Sequence, residues 1–283
     1  MSLEIIGPIY GSILLQGAPQ PGNRRYGMPP GGAFDQESLH IANLLLANSP
    51  GTPCLELAMA GFKVRSQGPT VFSWAGAGAM QGSVRLENGD TFQFPQPASG
   101  CRSYLGLPGG VQCPDLISKG SVLEPASLGP PFSSTFHGIP RSLKSGPLRV
   151  TQGPQASLLP FDALLTTDHE VSHRLDRVGV RLSPEDRFEH SIELASEPSV
   201  FGAVQITPSG EPIVLGPDGP TIGGYPKIAV VIHADLDRIG QLRPGDRVSF
   251  EHVTLDEARR IGSENRNRLR DLRNLVNASE FSR

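Results

Sequence analysis

The chain has no apolar run approaching the roughly 20 residues that a membrane-spanning helix needs. Its first residues, Met1-Ser2-Leu3-Glu4-Ile5-Ile6, lack the basic leader of a secretory signal. Cysteine is scarce: Cys54, Cys101 and Cys113 form an odd set without C-x-x-C spacing, which argues against a disulfide framework and against a zinc knuckle. Charge of one sign is lacking too. Lys plus Arg number 25 against 28 Asp plus Glu, a net charge of −3, and this gives no electrostatic footing for nucleic acid or an anionic membrane surface. G-x-S-x-G and G-x-x-x-x-G-K-[ST] are missing, so serine-hydrolase and P-loop chemistry have no support, and H-E-x-x-H occurs once, at residues 169–173, in a segment without a helical pattern. The expectation is a soluble cytoplasmic protein whose 283 residues form one large domain or two modest ones.

Turn formers are abundant. Gly (33) and Pro (27) make about a fifth of the 283 residues, against an average nearer 12%. They are spread along the chain, which predicts many turns between short strands and a mainly β protein. Strands are expected at residues 3–6, 12–15, 54–58, 62–66, 70–74, 84–86, 91–94 and 102–107, with Asn88-Gly89 as a hairpin turn. Asp35 reads as the N-cap of a helix carrying Leu39, Ala42, Leu45 and Leu46. Residues 114–145 show no periodicity, and strand pattern resumes at Leu148-Arg149-Val150. A boundary is therefore placed near Gly146. A short helix at 161–165 and strands at 180–182, 202–206, 212–215, 229–232 and 247–250 follow, at a spacing that suggests closed or nearly closed barrels. Thr254-Leu255-Asp256-Glu257 is a capping box opening an Arg-rich helix, read as a solvated helix rather than a nucleic-acid arm because acidic residues interrupt it.

One run concentrates chemistry. Gln205, Asp218, Thr221, Tyr225 and Lys227 fall within 23 residues, separated by strand-like pieces and turns. A packed β core does not need that mixture, whereas a polar pocket for a small hydrogen-bonding substrate does. Gln205 can donate and accept, so it either reads a carboxylate, amide or urea or is satisfied by backbone. Asp218 in Gly216-Pro217-Asp218-Gly219 is either a turn Asp or a substrate acceptor and general base. Gly223-Gly224 is either a plain tight turn or a nest whose N–H groups meet an anion. Tyr225 and Lys227 are open between substrate contact and structural roles. Arg177 and Arg181, in Asp176-Arg177-Val178-Gly179-Val180-Arg181, can clamp a carboxylate or pair with Asp176. His169 and His173 have metal-compatible spacing only on a helix, and no Cys or third clustered His accompanies them, so no metal is expected.

Several segments together resemble the C subunit of bacterial 5-oxoprolinase, the KipA family, which is similar to half of the carboxyltransferase region of urea carboxylase. The family pattern V-Q-D-x-G-R-P-G-x-R-x-x-G is matched by Leu15-Gln16, Pro21-Gly22, Arg24 and Gly27. Pro29, Gly32-Ala33 and Asp35 match P-x-S-G-A-x-D, and Ala42-Asn43 with Asn48 match A-N-x-L-x-x-N. Leu55-Glu56, Tyr104-Leu105 with Gly109-Gly110, and Asp176-Arg177 with Gly179 and Arg181-Leu182 follow in order. Then come Ser196-Glu197-Pro198, Gly202-Ala203-Val204-Gln205, Asp218, Thr221, Gly223-Gly224-Tyr225-Pro226, and the closing Gln241, Pro244-Gly245-Asp246. Where the family has Asp, Gly-Arg and Ser, this chain has Gly17, Pro19-Gln20 and Gly31, so any contact those side chains make in the family is absent here.

The sequence pattern divides the chain into an N-terminal β-rich subdomain over 1–146, a second subdomain over 147–253 and a helical tail over 254–283, and the resemblance implies that the second is a cyclophilin-like β-barrel. It implies ATP-dependent opening of 5-oxoproline to glutamate, with ATP used together with a KipI-like B subunit and a LamB/YcsF-like A subunit. Asp218, Gln205 and Lys227 are then the catalytic candidates. Arg177, Arg181, Thr221, Gly223, Gly224 and Tyr225 are the substrate-binding ones, with the glycine nest and an Arg meeting the carboxylate and a phosphorylated oxygen. Two other readings stay open: a biotin-dependent carboxyltransferase subunit acting on urea or a related amide, and a non-enzymatic KipA-like antagonist of a kinase inhibitor.

Overall fold

A computed structural model describes residues 1–78, 81–127, 145–184 and 187–280, with side chains as far as residue 274. The protein is mainly β, as the distribution of turn residues predicts. Its residues pack into two compact units, one of Met1–Ala18 with Asp35–Ser142 and one of Pro19–Phe34 with Leu143–Arg283. The Gly- and Pro-rich segment 19–34 thus groups with the C-terminal half of the sequence. Much of the aperiodic stretch expected over 114–145 lies outside the described residues.

The first unit is organised by one long strand, Cys54–Ser66. Two strands were expected there. They are one because the chain bends without breaking at Met59, which takes φ 49° while its N–H reaches Cys101 O at 2.7 Å. The half before the bend pairs with Tyr10–Gln16 and Arg102–Gly106, and the half after it with Leu3–Ile5 and Thr91–Phe94. Thr70–Gly76 and Gly82–Leu86 extend the sheet on one side. Phe62, Phe72 and Phe94 form its aromatic core at 4.9 and 5.2 Å between rings. The helix Gln36–Leu44 starts where predicted: Asp35 accepts from the N–H of Ser38 at 2.9 Å and from its hydroxyl at 2.7 Å, satisfying an otherwise orphan donor.

Family-motif residues that are far apart in sequence meet inside this unit. The Tyr104 hydroxyl donates to Glu56 at 2.7 Å and accepts from the Asp35 N–H at 2.9 Å. Arg102 holds the other Glu56 oxygen at 3.3 Å, with both side chains buried. Burial first, then the charges of Glu56 and Asp35, push the Tyr104 phenol well above its ordinary range, so it stays a neutral donor.

The second unit is a nearly closed barrel. Its strand order is Arg247–Val248, His169–Leu175, Gly179–Pro184, Pro212–Leu215, Ala203–Ile206, Lys227–Val231, Leu148–Gln152 and Phe250–His252. The first and last of these are separated only by Ser249, whose carbonyl accepts from Leu148 N at 2.8 Å. One stretch of chain therefore serves both edges of the sheet and removes the exposed edge an open sheet would present. Val150, Val180, Leu182, Val204, Ile206 and Val214 fill the interior, each stabilising by roughly 1.5–3 kcal/mol through burial. Asp235 is fully buried beneath the strand Leu148–Gln152, bound by Arg149 at 2.6 Å and by Arg238 at 3.3 Å. The predicted capping box forms, with Thr254 N donating to Glu257 at 2.8 Å and Glu257 N to the Thr254 hydroxyl at 3.2 Å. It opens the helix Leu255–Glu280. Among the described residues no helix is long and apolar enough to cross a membrane.

Candidate functional site

The strand Ala203–Ile206 alternates. Val204 and Ile206 point into the barrel core, so Gln205 lies on the outer face. Register then decides what joins it. Gln205 stands opposite Ile213 on one side and Lys227 on the other, and Ile213 stands opposite Arg181. Directly opposed residues share a face, so Arg181, Ile213, Gln205 and Lys227 form one row across four strands. A bulge between Val204 and Gln205 admits the extra residue that turns Lys227 to this side.

A short ribbon covers part of the row. Glu197–Pro198 pairs with Ile222–Gly223, and Ser199 N donates to Thr221 O at 3.0 Å. This brings Ser199 Oγ to 3.5 Å from Gln205 Nε2, at the weak limit of a hydrogen bond. The Lys227 ammonium lies 2.7 Å from Glu197 Oε1, yet it has no well-directed hydrogen-bond acceptor among the described residues. Gln155 links the pieces: its Nε2 donates to Glu197 at 2.7 Å and its Oε1 accepts from Lys227 N at 3.0 Å. The close Lys227 ammonium, then the hydrogen bond from Gln155, hold the Glu197 carboxyl below the usual carboxylate range. Gln205 and Lys227 are each only 3% exposed, an unusual depth for an amide and an ammonium so sparsely paired.

Gly223 and Gly224 do not form the expected nest. Neither takes a left-handed φ, and Gly223 is a strand residue paired with Glu197. Its importance is steric: a Cβ there would lie 3.4 Å from Gln205 Nε2 and 3.5 Å from Ser199 Oγ. A side chain at this position would pack directly against that buried amide and hydroxyl.

Arg177 and Asp218 meet each other instead of standing apart as two substrate ligands. Arg177 Nε reaches Asp218 Oδ2 at 2.7 Å and Nη2 reaches Oδ1 at 3.0 Å, a bidentate pair, and Nη2 also donates to Gly32 O at 2.6 Å. The turn is held further by Asp218 N to Arg177 O and Gly31 N to Pro217 O, both at 3.1 Å. Arg181 is on a strand and Arg177 in the preceding loop, so the two do not form one clamp. The segment 19–34 touches both groups, since Arg24 donates to the Ser199 carbonyl. Gly31, where the family pattern has Ser, takes φ +60°, and a Cβ there would sit 3.7 Å from Asp218 Oδ1. Thr221 is buried and Tyr225 is 43% exposed.

His169 is fully buried and His173 exposed, because an irregularity after Val171 interrupts strand alternation. Burial lowers the His169 pKa, and its Nε2 lies 3.3 Å from Leu164 O. Among the described residues no group of His, Cys, Asp and Glu side chains is arranged to hold a metal ion.

Sequence reasoning did not single out Ser199, Glu197 or Gln155. The first two stand within the Ser196-Glu197-Pro198-Ser199 stretch that carried the resemblance, whereas Gln155 has no local signal at all.

Comparison with known proteins identifies the family. The family model described as carboxyltransferase domain, subdomain A and B, matches residues 26–137 and 130–252. The chain is 28% identical to the C subunit of the 5-oxoprolinase of Escherichia coli over 277 residues, covering 84% of this chain and 87% of that protein. It is 27% identical to urea amidolyase of Saccharomyces cerevisiae over 290 residues, covering 84% of this chain but 16% of that protein. The crystal structure of TTHA0988 superposes with a TM-score of 0.77 at 31% identity, covering 88% of this chain and 56% of that one. The protein described here belongs to the carboxyltransferase domain family, subdomains A and B.

Proposed function

We propose that this chain is the subunit of an ATP-dependent 5-oxoprolinase that holds the lactam while its ring is opened to glutamate. It works with a KipI-like B subunit and a LamB/YcsF-like A subunit. The observation that carries this reading is the buried, weakly paired Gln205 amide beside the Ser199 hydroxyl, one register position from the Lys227 ammonium. A lactam presents one N–H, one carbonyl and, in 5-oxoproline, one carboxylate. Gln205 and Ser199 match the amide group by donating and accepting. The Lys227 ammonium, compact and held by Glu197, matches the carboxylate or the developing oxyanion.

Asp218 and Arg177 take positioning roles. Both Asp218 oxygens already accept from Arg177, so the pair fixes the turn beside Thr221, and Asp218 turns its accessible edge to a substrate N–H. Arg181, at the end of the row, and Tyr225, at the exposed rim, complete the surface. The sequence has no P-loop, and Gly223-Gly224 forms no phosphate nest. In this reading ATP is used together with the partner subunits, and this chain contributes the substrate contacts.

The test is a complex reconstituted with both partners, assayed for 5-oxoproline-dependent ATP turnover and glutamate release. Gln205→Ala and Asp218→Ala are expected to lower both; full activity in both variants overturns the reading. The family match and the similarity to urea amidolyase favour one second reading, carboxyl transfer from carboxybiotin to urea or a related amide. Urea-dependent carboxybiotin turnover without a 5-oxoproline response would select it.

A further inference from the structure

We propose that the first unit carries a second binding site, for a small neutral molecule with a flat apolar body and one hydrogen-bond donor. A cavity of about 330 Å³ lies among Thr70–Gly76, Gly82–Leu86, Thr91–Phe94 and residues 95–98, within the size range of sites that take small ligands. Trp74, Val84, Phe92, Pro95 and Pro97 supply apolar walls. Trp74 is fixed by stacking on Phe94 at 4.8 Å and 27°, which presents a rigid aromatic surface. No charged side chain is among the described lining residues, so a carboxylate or phosphate finds no counter-charge. This sets the cavity apart chemically from the Gln205–Lys227 row.

The second observation is an unmet acceptor. Gln81 lines the cavity and is 5% exposed, and its Oε1 has no hydrogen-bond partner among the described residues. A buried amide oxygen left in this state bears its full desolvation cost, and nearly all such groups in folded proteins find a partner. An N–H or O–H carried into the cavity by a ligand supplies one. Gln96, whose Nε2 donates to Met59 O at 3.4 Å, is the other amide of the lining. Apolar walls and one buried unmet acceptor, Gln81 Oε1, define the ligand class: an aromatic or similarly flat ring carrying a donor, uncharged.

Trp74 is the single tryptophan of the chain and reports directly. Benzamide, a ring with an amide donor, is titrated against the 283-residue chain while Trp74 emission is followed. Methyl benzoate, of similar shape without a donor, is the comparison. The expected result is a saturable change in Trp74 emission with benzamide and about three- to tenfold weaker binding of methyl benzoate, the usual worth of one hydrogen bond. Gln81→Leu is expected to erase the difference by weakening benzamide alone, with circular dichroism checking the fold. No saturable response to benzamide, equal affinities on the unaltered chain, or a preference that survives in a folded Gln81→Leu variant each overturns the proposal. If the variant does not fold, the two probes on the unaltered chain decide.

Discussion

The Lys227 ammonium lies 2.7 Å from Glu197 Oε1 although the two residues belong to different sheets, one in the barrel and one in the ribbon that covers it. This contact and the Gln155 bridge tie the ribbon to the barrel beside Gln205. Lys227, then Gln155, depress the Glu197 pKa. A depressed carboxyl contributes stability above its unfolded value of about 4.3 and loses it as pH falls through the folded value. In Lys227→Met, the Glu197 titration midpoint is expected to rise, as read from the side-chain carboxyl carbon by NMR. An unchanged midpoint would mean that the pair does not form in solution.

Gly223 offers a steric test of the proposed substrate face. Its backbone is not left-handed, so a β-branched residue suits the strand. Gly223→Val places new atoms over Gln205 Nε2 and Ser199 Oγ. The melting temperature should change little while 5-oxoproline turnover by the assembled complex falls by an order of magnitude or more, the scale of a misplaced substrate. Retained turnover would move the substrate away from this face.

Tyr104→Phe tests the buried network of the first unit. It removes the donor to Glu56 and the acceptor for Asp35 N–H. Leaving buried polar atoms unpaired costs about 1–3 kcal/mol, to be read as a lower urea midpoint at constant slope.

Asp235 should mark the acid limit of the barrel. Burial pushes its pKa up, but hydrogen bonds from the Arg149 side chain and backbone, with the charge of Arg238, outweigh this and hold it below 3.8. Its contribution is therefore complete above about pH 4 and is lost as pH falls through the folded value. Asp235→Asn should lose about 3 kcal/mol at neutral pH, because two arginines lose their shared partner. Its stability should also fall less steeply with acid than that of the unaltered chain. Urea unfolding at a series of pH values separates the two effects.

Local chemistry was legible wherever a few neighbouring residues decide the outcome. Asp35 capped its helix and Thr254 with Glu257 closed its box because cap bonds span three residues. Alternation in Ala203–Ile206 turned Gln205 away from the core. The interruption at 59–61 was legible beside Gly61, but not that the chain runs through it as one strand, since the neighbouring strands hold it continuous. The nest at Gly223-Gly224 failed for a similar reason: glycine permits a positive φ, but pairing with Glu197 imposed an extended one.

The sequence by itself determined a mainly β chain with frequent turns, the order of its strands, and the motif residues that place it in its family. Only the tertiary structure decided which of those residues meet. Register put Lys227 and Arg181 in one row with Gln205, committed Arg177 to Asp218, and brought Gln155 to Glu197 across 42 positions. Strand formation depends on patterns a few residues long, whereas these meetings depend on which strands pair and in what register. Barrel closure through Ser249 fixes that pairing for the whole second unit at once.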